Sequence, residues 1–332
     1  MTDIKVKKST MNIKTKISEI IKSKSLVDYM PAIALLLLVI VVSIGSPRFL
    51  LPANLIGLVG MSSTLLIMGL GQTFIILLGS IDLSIAPVAA MASIISAMLL
   101  PEIGYWAFVI AVIYGSFAGL LNGLIHTKAR IPSFITTLGS MGIWTGAAFI
   151  ISNATPITVS SENIHYLSWV TGYTFTIQNV VFVAITLLLL TFIFEKYTPF
   201  GRYVKAIGSG ERAAYTSGVP IDRVKILAFV LCATLAAFSG VFLSARMSGG
   251  SARMADGFLM KAIAVVVLGG SSISGGMGGV LRTLIGVLLV MVLDVGMSMI
   301  GINPWFQQTI YGIVVILAVA LTIDRGRMDI IK

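Results

Sequence analysis

The sequence predicts an all-α polytopic membrane protein of about ten transmembrane or partly re-entrant helices, with both termini cytoplasmic. Three observations carry this. Of the 332 residues, 57% are hydrophobic and only 11% charged, where soluble domains carry about 25% charge, so a water-facing surface of this size cannot be coated. Apolar runs fill the chain at 30–50, 54–78, 84–100, 104–126, 132–152, 177–195, 225–246, 258–268, 280–300 and 305–323. Most reach the roughly 20 residues that a helix needs to cross a bilayer. The runs are continuous rather than alternating, which suits helices and not barrel strands. The mean hydropathy of +1.01 excludes an ordinary cytosolic enzyme, a disordered chain and a secreted disulfide scaffold. The single cysteine, Cys232, sits in an apolar run and reads as a small buried hydrophobe.

The first 29 residues form a basic cytoplasmic segment. Their charged stretch is too long for a cleavable signal peptide, and the apolar run that follows is span-length without a small-residue cleavage site. Ile13, Ile17, Ile20 and Ile21 recur at helical spacing between lysines. An interfacial helix on an anionic leaflet and a solvated basic tail both fit. With the N-terminus inside and an even span count, 19 of the 23 basic residues fall on the inner side. Arg48, Arg246, Arg253 and Lys261 fall outside or near it, and the polar loop 153–176 carries no Lys or Arg. The net charge of +10 is thus mostly a topology signal, and nucleic-acid binding is not supported.

Along the chain, the first departure from plain hydrophobicity is GSIDLSIAP at 79–87. Gly79 and Ser80 loosen the helix, and Pro87 restricts the backbone before it. Asp82 is the only carboxylate between Asp28 and Glu102. A charge at membrane depth costs about 2.5–3.5 kcal/mol on insertion scales. Asp82 either caps the next helix with Ser84 near its first turn, or presents a polar group to a path at a broken helix. Gly115, Gly119 and Gly123 repeat along one face of the fourth span and permit close helix contact. Asn122, Asp294, Gln307 and Gln308 read as helix-to-helix hydrogen-bonding groups more readily than as ligand contacts.

The longest interior polar segment is 196–224. Pro199 and Gly201 break the preceding span. Ser209 is placed to cap a helix of about two turns, with Glu211 in its first turn. Gly218 can close that helix in a left-handed conformation, and Pro220 prevents continuation. Such a helix is too short to stand alone. Docking element and simple loop both remain open on the residues. The run 258–268 reads as a half-helix. LGGSSISGGMGG at 268–279 holds six glycines and three serines but no Lys at the phosphate-loop position, so a tight reversal between helices is the better reading. No Walker A, HExxH or Cys/His cluster is present in the sequence, and the spans lack the several buried acids or histidines of a proton relay.

Several of these segments together resemble the membrane subunit of bacterial ABC importers for ribose and other simple sugars, within the permease superfamily that includes branched-chain amino-acid permeases. The matching pieces are GQTFIILLGSIDLSIAP (71–87), ARIPSFITTLGSMGI (129–143), FGRYVKAIGSGERAAYTSGV (200–219), VKILAFVLCATLAAFSGVFLSAR (224–246) and AIAVVVLGGSSISGGMGGVLRTLIGVLL (262–289), in family order. The resemblance implies a transmembrane permease domain over 30–325, a cytoplasmic coupling loop at 196–224 and a cytoplasmic tail at 326–332. Glu211, Ala213, Ala214 and Gly218 match the E-x-A-A-x-x-x-G core of the loop that contacts the ATPase, and Gly201 and Arg202 fall in the same piece. Residues placed on the translocation path or at its helix break are Asp82, Ser84, Asn122, Thr137, Lys261 and Asp294. Ser80, Ala86-Pro87, Lys261 and Asp294-Val295 depart from the family pattern. A basic Lys261 fits an anionic or unusual sugar, or a snorkelling surface lysine. The implied protein has no catalytic residue, metal or cofactor of its own; ATP and Mg sit on the partner ATPase. Its implied partners are a cytoplasmic ATP-binding subunit, an extracytoplasmic sugar-binding protein, a second permease copy or paralogue, and the lipid of the bacterial inner membrane. A permease for a nucleoside or branched-chain amino acid, a secondary carrier, and a non-transporting scaffold are the alternatives.

Overall fold

The computed structural model describes residues 24–322. The isoleucine-lysine face before residue 24, the tail from 323 and the side chain of Gln308 lie outside the described residues. All ten apolar runs become helices, in order α1 (Lys24–Gly45), α2 (Pro52–Leu77), α3 (Ile85–Ile103), α4 (Trp106–Lys128), α5 (Ser133–Ile151), α6 (Asn179–Tyr197), α9 (Ile221–Met247), α10 (Phe258–Leu268), α11 (Val280–Met299) and α12 (Pro304–Thr322). Between α6 and α9 stand two further helices, α7 (Pro199–Ser209) and α8 (Glu211–Thr216). Among the described residues, seven helices are long and apolar enough to cross a membrane: α2 to α6, α9 and α11. The expected half-helix at 258–268 has those bounds.

Helix ends follow local chemistry. Pro52 and Pro199 open α2 and α7 at a first position, where the missing N–H has no intrahelical partner to lose. Pro87 lies in the first turn of α3 and is tolerated there for the same reason. Gly79 leaves α2 with φ +74.

The interior is built around α9. Two-thirds or so of α2, α3 and α9 is buried (61, 72 and 67% of their apolar windows), against 22% of α5 and 28% of α6. Lipid is as apolar as leucine, so helices in a bilayer associate through close packing rather than hydrophobic exclusion. Glycine supplies that closeness on three sides of α9. A Cβ at Gly115 or Gly119 of α4 would come within 2.3 Å of Ala237 Cβ or the Phe229 carbonyl, and one at Gly123 within 2.8 Å of Ile226 Cα. Gly71 of α2 faces Cys232 at 2.9 Å, and Gly240 of α9 itself faces the Ala89 carbonyl at 2.1 Å. Cys232 is fully buried among these contacts.

At one end of the bundle, β1 (Ile157–Thr158) pairs antiparallel with β4 (Gly249–Gly250), and β2 (Tyr173–Thr174) with β3 (Ile177–Gln178). The long polar loop is thereby tied to the end of α9. The other end carries α7 and α8, with their lysines and arginines, and the glycine-rich 269–279 turn.

Gly119→Leu is expected to lose about 1–3 kcal/mol or more through overpacking against α9. Gly146→Ala on α5, whose added Cβ meets nothing within 4 Å among the described residues outside its own helix, should stay within about 1 kcal/mol of the parent. Unfolding midpoints of the two purified variants in detergent check this contrast.

Candidate functional site

Three constructions meet at or near the basic end: an exposed helix, a junction of glycines behind it, and a buried polar chain.

The polar segment after α6 folds into two helices rather than one. Phe200, Val204 and Ile207 of α7 recur on one face and are buried, with Phe200 stacked on Phe194 at 4.7 Å between ring centres. Gly210, and not Ser209, separates α7 from α8. The Ser209 hydroxyl instead turns back to donate to the Lys205 carbonyl at 2.8 Å, as a serine inside a helix does when it bonds its own preceding turn. Gly201 does not break the span but sits inside the first turn of α7. α8 rests on Ala214 alone. Glu211, Arg212, Ala213, Tyr215, Thr216 and Gly218 are all exposed, and Tyr215 presents 73% of its surface. Gly218 adopts φ +80 and lets the Val219 N–H donate to the Ala214 carbonyl at 3.1 Å. Both Glu211 carboxylate oxygens accept from Lys225 Nζ of α9 at 2.8 Å. Glu211 is exposed and Lys225 largely covered, and the pair fixes α8 against α9.

Behind α7 three chain segments touch backbone to backbone. A Cβ at Gly208 would fall 1.9 Å from the Leu77 carbonyl and 2.5 Å from the Gly276 nitrogen. One at Gly275 would fall 2.7 Å from the Gly79 nitrogen and 2.9 Å from Gly208 Cα. The Gly276 N–H donates to the Leu77 carbonyl at 2.9 Å. The reversal expected at 268–279 is therefore also a bearing surface for α7 and the end of α2. Its glycines 270, 275, 276 and 278 take positive φ values that other residues adopt at a cost.

Glu195 joins the same junction and was not among the expected site residues. Its carboxylate, 8% exposed, accepts from the Val280 N–H at 2.7 Å and pairs with Lys205 at 2.7 Å. It thus satisfies an unpaired donor at the start of α11, where the helix dipole favours an anion. The sequence held one signal: an acid in the last turn of α6 opposes that helix's own dipole, so it needs an outside partner. Gly201 lies so close to the Glu195 carbonyl (1.8 Å from an added Cβ) that no side chain fits there.

The chain Asp82–Ser84–Asn122–Ser140 links three helices. Asp82 Oδ1 accepts from the Ser84 N–H at 2.8 Å and the Ser84 hydroxyl at 2.6 Å. Asp82 thus fixes Ser84, the N-cap position of α3, from two residues upstream instead of capping the helix itself. Asn122 Nδ2 donates to Ser84 Oγ at 2.8 Å, and its Oδ1 accepts from the Ser140 hydroxyl. Thr137 Oγ1 lies 3.2 Å from the Ile81 carbonyl. Asp82, Ser84, Asn122 and Thr137 are thereby brought together, all buried, while Asp82 Oδ2 has no hydrogen-bond partner among the described residues. Lys261 and Asp294 lie apart from these and pair with each other at 2.8 Å, with the Lys261 ammonium 5.1 Å from the Tyr311 ring centre. Lys261 is therefore a partnered group between α10, α11 and α12, not a snorkelling surface lysine. Gln307 donates to Ser298 and to the Ile302 carbonyl.

Asn122→Ala removes two buried hydrogen bonds and leaves hydroxyl partners in a dry site. The expected loss is about 1–3 kcal/mol, read as a lower unfolding midpoint in detergent; an unchanged midpoint would show that the chain does not hold α3, α4 and α5 together.

Comparison with known proteins adds kinship to this geometry. The family described as branched-chain amino acid transport system / permease component matches residues 54–319. The ribose import permease protein RbsC of Bacillus subtilis (strain 168) is 34% identical over 302 residues, covering 90% of this chain and 92% of that protein. RbsC of Escherichia coli (strain K12) is 32% identical, covering 89% and 93%. The L-arabinose ABC transporter permease protein AraH of Azospirillum brasilense is 34% identical, covering 86% and 84%. No solved structure matches the chain.

Proposed function

The chain belongs to the branched-chain amino acid transport system / permease component family, and on that premise we propose that it is the membrane-spanning subunit of an ATP-binding cassette importer for a monosaccharide. It is a multi-pass inner-membrane protein. The sugar reading is supported by the ribose and arabinose permeases that it resembles along nearly its whole length. The observation that carries the mechanism is α8: a short helix exposed on nearly every side chain, yet backed through α7 by direct backbone contact with α2 and the turn before α11.

In this reading α8 seats in a groove of a cytoplasmic ATP-binding subunit, where Glu211, Ala213, Ala214 and Gly218 shape its surface, Gly201 sets its backing and Arg202 lies at its edge. ATP and Mg reside on that partner. Closure of two such subunits pushes α8, and the junction passes the displacement to the spans. A second permease copy or paralogue completes the pathway, and a binding protein delivers sugar to the end that bears the 153–176 loop. The transported solute crosses by alternating access, with Asp82, Ser84, Asn122 and Thr137 holding the helix break beside the path. Lys261 and Asp294 neutralise each other, which removes the reason to expect an anionic sugar at that place.

Gly218→Val tests the lever. Among the described residues an added Cβ at Gly218 meets nothing within 4 Å, so the change acts through its positive φ, at about 1–2 kcal/mol, and leaves the spans intact. Reconstituted with its ATPase and binding protein, the variant is expected to lose most sugar uptake while ATP hydrolysis persists. Normal uptake contradicts the reading. Ion-driven accumulation by the chain alone would mark a secondary carrier instead.

A further inference from the structure

At the end of α6 a cavity of about 320 Å³ opens beside the first turns of α7, lined by Phe192, Glu195, Lys196, Gly201, Arg202 and Lys205. Its one acid is already engaged, since Glu195 is paired with Lys205 and bonded to the Val280 N–H. Lys196 and Arg202 have no ion-pair partner among the described residues. The cavity is therefore net cationic. The Lys196 ammonium lies 5.3 Å from the Phe192 ring centre and 5.5 Å from that of Tyr197, which fixes the charge at the cavity wall. The start of α7 adds the partial positive charge of a helix N-terminus whose cap makes no side-chain bond.

A separate observation says what kind of anion fits. The α6 surface one to two turns before the cavity exposes Leu189, Leu190 and Ile193 by half or more, on a helix that is mostly unburied and long enough to span. In a bilayer, an exposed apolar surface of this kind suits acyl chains. Apolar wall, aromatic residues and cations thus follow one another along a single helix in the order of acyl chain, interface and phosphate. Tyr197, at the end of the span, is of the residue type that aromatic belts place beside headgroups. Basic pockets at such helix ends recognise anionic headgroups.

We propose that this cavity binds the phosphate group of an anionic phospholipid, with Lys196 and Arg202 as its charge partners and the exposed face of α6 as the bed for its acyl chains. The proposal goes beyond the transport reading and does not rest on it. Where both hold, the lipid clasps α7 to α6 at the base of the lever.

The test is native mass spectrometry of the purified full chain with equimolar phosphatidylglycerol and phosphatidylcholine. The parent should retain phosphatidylglycerol preferentially. Lys196→Gln and Arg202→Gln should each cut that preference about fivefold, the value of roughly one surface charge. The charge-keeping Lys196→Arg/Arg202→Lys variant should retain it, as should Arg253→Gln at the other end of the bundle. Equal retention of the two lipids by the parent, or an unchanged preference in the glutamine variants, overturns the site. Loss in the charge-keeping variant overturns it as well, by marking a structural role. Excess inorganic phosphate should leave the lipid in place; its complete displacement by phosphate would assign the cavity to a free anion and not to lipid.

Discussion

The contact between Gly208, the Leu77 carbonyl and the Gly275–Gly276 turn is the constraint on which the rest of the architecture depends. Side chains between two helices can change rotamer and absorb a small displacement. Backbone against backbone has no side-chain rotamer to absorb it, so a displacement is passed on through the close-packed contact. Any movement of α7 along its contact therefore displaces the end of α2 and the start of α11. Glu195 strengthens the same joint from a different direction, holding α7 through Lys205 and α11 through the Val280 N–H. The exposed α8 is short, but it is mounted on a stiff support.

The bundle repeats this logic at larger scale. α9 is enclosed by glycine contacts from α2 and α4 and places its own Gly240 on α3. This is how a membrane interior gains cohesion when the surrounding lipid offers no hydrophobic gradient. The glycines of α5 are different: among the described residues, an added Cβ at Gly139, Gly142 or Gly146 meets nothing within 4 Å outside its own helix. The chain thus consists of a tightly packed centre and less enclosed helices around it. A lever acting on α2 and α11 acts on that centre.

The helices were legible because length and apolarity alone dictate them; even the half-helix at 258–268 was bounded by where hydrophobicity stops. α7 was not, since its apolar face amounts to Phe200, Val204 and Ile207 in an otherwise polar stretch, and a serine beside a glycine offered the more familiar cap. The glycines of 268–279 were legible as a reversal. Their use as a bearing surface was not, because their partners Leu77 and Gly208 lie far away in sequence. The same distance hid the Lys261–Asp294 pair: each residue was noticed, and nothing in the sequence joined them. Asp82 shows the intermediate case. Its link to Ser84 was readable from spacing, whereas the continuation through Asn122 to Ser140 required the fold. Glu195 was passed over because a terminal acid beside a polar loop looks solvated.

The most direct test is a spin-label distance between Thr216→Cys on α8 and Met277→Cys on the glycine turn, with fully buried Cys232 left unlabelled, in the complex with its ATPase. If α7 and α8 move with the turn as one body, the distance distribution stays narrow and unshifted between nucleotide-free and ATP-bound states. A distribution that shifts or broadens on ATP binding would show the joint yielding, and would contradict the account.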